Sequence, residues 1–131
     1  MVMKKPRILV ICSMGLNRSK YLASYLKNKS YKTRYGGIGR IDKKAHNPFK
    51  QKDIDWADLI IVVRKRHKPL LKKYYNLNGK RIIVLDVTDS RRLVGKKFPK
   101  LGKLDFEAFN NKWTYPQLRK AIKPYLPLKL K

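Results

Sequence analysis

The sequence predicts an α/β fold, a four-stranded parallel sheet with helices on both faces. Three continuously apolar, β-branched runs carry that expectation: Arg-Ile-Leu-Val-Ile (7–11), Asp-Leu-Ile-Ile-Val-Val (58–63) and Arg-Ile-Ile-Val-Leu (81–85). Such runs read as strands covered on both sides. Segments with helical spacing of apolar residues separate them, and buried strands alternating with helices make a parallel sheet. The chain has 131 residues, 43% of them apolar. That suits one domain spanning residues 1–131 with one core, and excludes both a two-domain chain and disorder.

Each element has its own signal. After the first strand, Leu22, Tyr25 and Leu26 recur at i, i+3 and i+4, and Asn28 and Ser30 mark the helix exit. Residues 31–35 alternate with period two and stop at Gly36-Gly37, which predicts the remaining strand. Residues 38–52 show no periodicity and read as a loop, and residues 53–57 as one helical turn. Past the next strand, Pro69 suits the first turn of a helix carrying Leu70, Leu71, Tyr74 and Tyr75 on one face. Asn78-Gly79 turns the chain into the last strand. Residues 86–113 are mostly polar and basic around an apolar cluster at Phe106 and Phe109. Thr114 reads as an N-cap for a final helix whose apolar face is Leu118, Ala121, Ile122 and Tyr125. Trp56 and Tyr74 are expected in the core, and His46 and His67 on the surface or in loops.

Lys and Arg number 34 against 8 Asp and Glu, a formal net charge of +26 distributed over both halves of the chain. A folded body this basic draws polyanions: nucleic acid, an anionic membrane surface or phosphorylated substrates. The single cysteine excludes a disulfide framework and a four-cysteine zinc site. Neither histidine has metal-ligand spacing, so no metal and no cofactor are expected. No apolar run approaches about 18 residues, and the N-terminus lacks the apolar segment of a signal peptide. The expectation is a cytoplasmic monomer without a transmembrane segment.

The first strand-to-helix turn, Cys12-Ser13-Met14-Gly15-Leu16-Asn17-Arg18-Ser19, carries the chemistry. In parallel sheets, ligands sit beyond the carboxyl ends of the strands. A short loop winding into a helix N-terminus aims backbone N–H groups inward as an anion nest, and Gly15 allows the tight path. Arg18 can fork two donors onto phosphate oxygens. Cys12 would lie beneath the phosphorus, where the same donors favour a thiolate, and the Ser19 hydroxyl is placed to bond that sulfur. The pattern is a nucleophile lying in its own oxyanion cradle, with Cys12 and Arg18 as catalytic candidates and residues Ser13 to Ser19 binding phosphate.

Cys-(x)5-Arg-Ser after a first strand resembles the low-molecular-weight protein tyrosine phosphatases. The nearer likeness is to a compact bacterial and archaeal branch of predicted protein tyrosine phosphatases. There the third strand reads much like residues 56–63 (Trp-Ala-Asp-Leu-Ile-Ile-Val-Val) and is followed by a pair like Arg66-His67. The fourth strand ends in a segment like residues 85–89 (Leu-Asp-Val-Thr-Asp), and the last helix opens like Tyr115-Pro116-Gln117-Leu118. The resemblance covers roughly residues 7–89 and 113–126. It implies a three-layer α/β/α phosphatase-like fold and a cysteine-dependent phosphomonoester hydrolase working through a cysteinyl-phosphate. It also implies an aspartic acid that protonates the leaving oxygen. The family's acid loop aligns with residues 87–91 and puts that acid at Asp89, with Asp86 ending the strand.

The departures are as informative. Arg91 stands where the family usually has a tyrosine, Asn17 where it has a second loop cysteine, and Arg64 where an acidic residue commonly follows the third strand. Residues 90–112 intervene as a basic insert before the last helix, with Arg91, Arg92, Lys96 and Lys97 as candidate polyanion-binding residues. The substrate class is a phosphoprotein or a phosphorylated nucleic acid. The alternative reading is a non-catalytic, nucleic-acid-directed phosphate-binding protein that uses the same cradle and a strongly basic surface.

Overall fold

A computed structural model describes residues 5–40 and 42–130. Strands β1 (Ile8–Cys12), β2 (Thr33–Gly37), β3 (Leu59–Val62) and β4 (Arg81–Val84) form one parallel sheet in the order β2-β1-β3-β4. Helix α1 (Arg18–Lys27) follows β1, α2 (Gln51–Trp56) precedes β3, and α3 (His67–Tyr74) joins β3 to β4. After β4 come α4 (Arg91–Lys97), α5 (Pro99–Gly102), α6 (Phe106–Phe109) and α7 (Tyr115–Ile122).

The pleat divides the core in two, because successive strand residues face opposite sides. Ile8, Val10, Cys12, Leu59 and Ile61 pack on one side with Leu22 and Leu26 of α1 and Leu118 and Ile122 of α7. Leu9, Ile11, Ile60 and Val62 pack on the other with Ile54 of α2 and Leu71 of α3. Every residue of β1 and β3 is buried, which accounts for their unbroken apolar composition. Each such side chain is worth roughly 1.5–3 kcal/mol of transfer free energy, so these two strands anchor both layers. Among the described residues, no helix is long and apolar enough to cross a membrane.

Three elements differ from the expectation. Strand β2 starts later and includes Gly36 and Gly37, which pair with Ile11 and Cys12. The loop leaving β1 runs against this strand end: a Cβ on Gly37 would stand 2.5 Å from the Met14 carbonyl carbon. The glycines therefore continue the strand where any side chain would collide. Thr114 is no cap. Its backbone is helical, and a π-helical turn (Asn110–Thr114) joins α6 to α7 without a break. The cap is Asp105, whose carboxylate accepts the Ala108 N–H at 2.8 Å. Pro116 has no N–H to donate to the preceding turn, and the wider π-helical turn occupies that stretch. Tyr74 is 65% exposed rather than in the core, since Leu71 is the one side chain of the expected α3 face that is fully buried. Trp56 is half-buried, with the Arg34 guanidinium 4.3 Å from its ring centre.

Candidate active site

The sheet order leaves the carboxyl ends of β1, β3 and β4 facing one cleft of about 880 Å³. Cys12 ends β1 at its floor, 2% exposed. Its Sγ accepts the Gly15 N–H at 3.2 Å and, as a thiol, donates to Ser19 Oγ at 3.0 Å, a hydroxyl that can turn to donate once the sulfur is a thiolate. Gly15, at φ 79°, bends the loop into this shape. Ser13, Met14, Leu16, Asn17 and Arg18 line the cleft, while Gly15 and Ser19 lie buried behind them.

Arg18 opens α1 and is 6% exposed. Its Nη1 donates to the Val87 carbonyl at 2.8 Å and its Nη2 to Ser13 Oγ at 3.2 Å. Its Nε is buried without a hydrogen-bond partner, 3.5 Å from Asp89 Oδ2. Burial pulls the guanidinium below its ordinary value, while Asp89 and Cys12 pull it back up. Asp89 follows β4 and faces the cleft. Its carboxylate accepts the Asn17 Nδ2 amide at 2.9 Å. The same amide donates to Asn110 Oδ1 at 3.1 Å, and the Tyr115 hydroxyl donates to Asn17 Oδ1 at 2.9 Å. Asn17 thus ties the loop to Asp89 and to the helix that ends the fold. Asp86 lies apart from the cleft lining, with its carboxylate 3.4 Å from Arg64 and 4.0 Å from Lys65. That ion pair gives the cation after β3 its partner.

His67 is not a surface residue. It is 0% exposed at the start of α3, with Nε2 3.2 Å from Ser13 Oγ. Arg18 and Arg66 both donate to that same oxygen, which directs the Ser13 hydroxyl proton toward Nε2, while Nδ1 is buried without a hydrogen-bond partner. Burial first, then Arg66, Arg18 and Arg64, push the ring down to about 3. The signal was its spacing: His67 stands four residues before Leu71, on the buried face of α3. The unfolded chain takes up a proton on this ring below pH ~6.5 and the folded one does not until far lower. Stability therefore falls as pH falls through that window, by about 2 kcal/mol between pH 7 and 5. Urea midpoints at the two pH values should show this loss in the wild type and not in His67→Gln. Equal losses in both would mean that the folded ring is not held neutral.

Arg40, Arg64, Arg66 and Arg91 line the cleft wall together with the apolar side chains of Leu16, Leu93 and Phe106. Of these, the sequence had singled out Arg91 as a candidate polyanion contact and Leu16 as part of the phosphate-binding loop. Arg92, Lys96 and Lys97 are exposed on α4 outside the cleft lining. Trp113 donates its indole N–H to the Thr88 carbonyl at 3.2 Å and packs on Phe98, which seats the basic segment against the loop after β4. Among the described residues no group of side chains has the makings of a metal site.

No protein-family model and no curated protein matches the chain. Solved structures do. The tyrosine phosphatase Wzb from Escherichia coli K30, in complex with phosphate, superposes with a TM-score of 0.61 at 22% identity, covering 93% of this chain and 96% of that one. Vibrio vulnificus Wzb in complex with benzylphosphonate gives 0.61 at 16% identity, covering 93% and 97%. The YwlE arginine phosphatase, in a variant with a phosphorylated active-site serine, gives 0.50 at 14% identity, covering 95% and 99%. The chain has the three-layer α/β/α fold that these low-molecular-weight phosphatases share.

Proposed function

We propose that the chain is a cysteine-dependent phosphomonoester hydrolase. The observation that carries this is the convergence of Cys12 Sγ, its Gly15 and Ser19 partners, Arg18 and Asp89 on one cleft from β1, α1 and the loop after β4. In the first step the Cys12 thiolate attacks phosphorus. A sulfur–phosphorus bond forms, the phosphorus–oxygen bond of the ester breaks, and Asp89 passes its proton to the departing oxygen. In the second, the Asp89 carboxylate takes a proton from water as the water oxygen attacks phosphorus. The sulfur–phosphorus bond breaks and inorganic phosphate leaves with the thiolate regenerated. The loop N–H groups and the Arg18 guanidinium hold the charge on the phosphoryl oxygens throughout. Residues Ser13 to Ser19 form the cradle, and the Ser19 hydroxyl steadies the sulfur as it departs.

Similar solved structures bind phosphate and benzylphosphonate, a tetrahedral anion alone and one on a ring, which supports a monoester substrate. A non-catalytic phosphate-binding module needs the cradle and Arg18 but no acid beside them. The placement of Asp89 next to Arg18 favours the enzyme. The experiment is removal of the sulfur. Cys12→Ser should stop release of phosphate from an aryl phosphate, and turnover equal to wild type would refute the reading. A free, working thiol fits a reducing, cytoplasmic setting, and every group invoked comes from one chain, as a monomer requires.

The basic segment at residues 90–112 we read as a polyanion-steering element on the rim of the cleft. Each phosphate contact adds about −0.9 to the slope of log K against log salt on duplex DNA. Neutralising Arg91, Arg92, Lys96 and Lys97 together should flatten that slope more than neutralising Lys27, Lys29, Lys72 and Lys73, which sit toward the other ends of α1 and α3. Equal flattening would make the charge a diffuse coat.

A further inference from the structure

Among the described residues, the five cations lining the cleft, Arg18, Arg40, Arg64, Arg66 and Arg91, are all arginines, although lysine outnumbers arginine more than two to one in the chain. A coat of positive charge with no particular target would place lysines there. Arginine presents a planar fork that grips phosphate through two donors, whereas lysine presents a point charge. One phosphate is already provided for by the loop N–H groups and Arg18. Beyond them, Arg66 donates to the same Ser13 oxygen as Arg18, which holds two guanidiniums side by side. Asp89 faces Arg18, but neither Arg66 nor Arg40 pairs with a carboxylate among the described residues, and Arg64 shares Asp86 with Lys65. The acidic side chains on the cleft are Asp42 and Asp89. Burial and the surrounding guanidiniums of Arg18, Arg40 and Arg64 hold Arg66 below its ordinary value. Repulsion of this kind is relieved when an anion lies among the cations.

Apolar side chains make up another part of the lining. Leu16, Leu93 and Phe106 are 53%, 47% and 51% exposed, so the cleft presents a greasy, partly aromatic surface beside the arginines. A nucleotide unit combines what this lining offers to bind: a terminal phosphate, a sugar and base with an apolar face, and a neighbouring phosphate. Bases stack on exposed aromatic rings whatever their sequence.

We propose that Arg40, Arg64 and Arg66 form a second phosphate subsite beside the Cys12 cradle, and that the substrate is a nucleotide-type phosphomonoester carrying a second phosphate, as at the phosphorylated end of a nucleic-acid strand. This rests on the phosphomonoesterase reading for its chemistry, while the subsite itself is a matter of binding.

Two measurements separate the two. The first compares kcat/KM at physiological salt for a small aryl phosphate, a phosphotyrosine peptide, a nucleoside 5′-monophosphate, a nucleoside 3′,5′-bisphosphate and a 5′-phosphorylated oligonucleotide. The bisphosphate should exceed the 5′-monophosphate by about tenfold or more. The double variant Arg40→Gln/Arg64→Gln should bring that ratio close to one, while Lys72→Gln/Lys73→Gln, which removes equal charge far from the cleft, leaves it. An oligonucleotide preferred over the bisphosphate points to a strand end, and the reverse to a free bisphosphate. A ratio near one in the wild type, or a phosphotyrosine peptide preferred over every nucleotide, overturns the proposal. The second measurement titrates the same bisphosphate and monophosphate into Cys12→Ser by calorimetry. Tighter bisphosphate binding that is lost with Arg40→Gln/Arg64→Gln supports the subsite even if no substrate is turned over. Equal binding of both overturns the subsite even if phosphatase activity is present.

Discussion

Cys12→Ser is expected to reduce turnover of an aryl phosphate by at least ~10⁴-fold while inorganic phosphate or vanadate still binds. The two outcomes separate because they rest on different atoms. Rapid turnover through phosphorus needs the sulfur, because a serine hydroxyl is a far weaker nucleophile and, once phosphorylated, a far poorer leaving group. Binding needs the loop N–H groups and Arg18, and neither depends on the identity of the side chain beneath the anion. The serine oxygen would still meet the Gly15 N–H and the Ser19 hydroxyl that now address Sγ, so the loop keeps its internal partners. Isothermal titration with phosphate together with a continuous phenolate assay reads both. Turnover at the wild-type rate would remove Cys12 from the mechanism. Loss of binding along with turnover would mean that the sulfur shapes the cradle rather than attacking from within it.

Asp89→Asn should slow esters with poor leaving groups by about 10²–10⁴-fold and activated nitrophenyl esters far less. An alkoxide or unactivated phenolate leaves only as it gains a proton, whereas nitrophenolate is stable without one. Asp86→Asn should show no such dependence on the leaving group. The geometry separates the two acids: Asp89 lines the cleft, 3.5 Å from Arg18 and bonded to Asn17, whereas Asp86 is not part of the cleft lining and pairs with Arg64. If the dependence follows Asp86 instead, the acid loop has been aligned three residues off. A plot of log kcat against leaving-group pKa for the wild type and both variants decides it.

What could be read from the sequence was what repeats locally. Three strands announced themselves as apolar runs: β1 and β3 are buried on both faces, while β4, expected to be buried throughout, lies at the sheet edge with Ile83 buried and Ile82 and Val84 only partly covered. The loop from Cys12 to Ser19 stood out as a candidate site because all its parts lie within eight consecutive residues. The failures share a physical cause. Strand β2 ran past its expected end because Gly36 and Gly37 answer to a loop packed against them, which no local rule reports. Thr114 had the chemistry of a cap, but the helix had already begun at α6 and passed through it. The spacing of His67 before Leu71 could report its burial, but not that Ser13, far away in the chain, is its partner. The arginine wall is the extreme case: positions 40, 64 with 66, and 91 come from three separate segments and make a pattern only once the strand ends bring them together.

The tether through Asn17 also sets an order of assembly. This amide, in the turn after the first strand, is held by Asp89, Asn110 and Tyr115, and the helix from Phe106 to Ile122 carries two of those three partners. A nascent chain exposes its nucleophile first and its braces last. Until that helix docks, the loop has its internal contacts but lacks the two braces that Asn110 and Tyr115 place on Asn17. Closing contacts over such separations is slow compared with forming a local turn. The bracing of the loop through Asn17 is therefore completed only when the helix from Phe106 to Ile122 is in place.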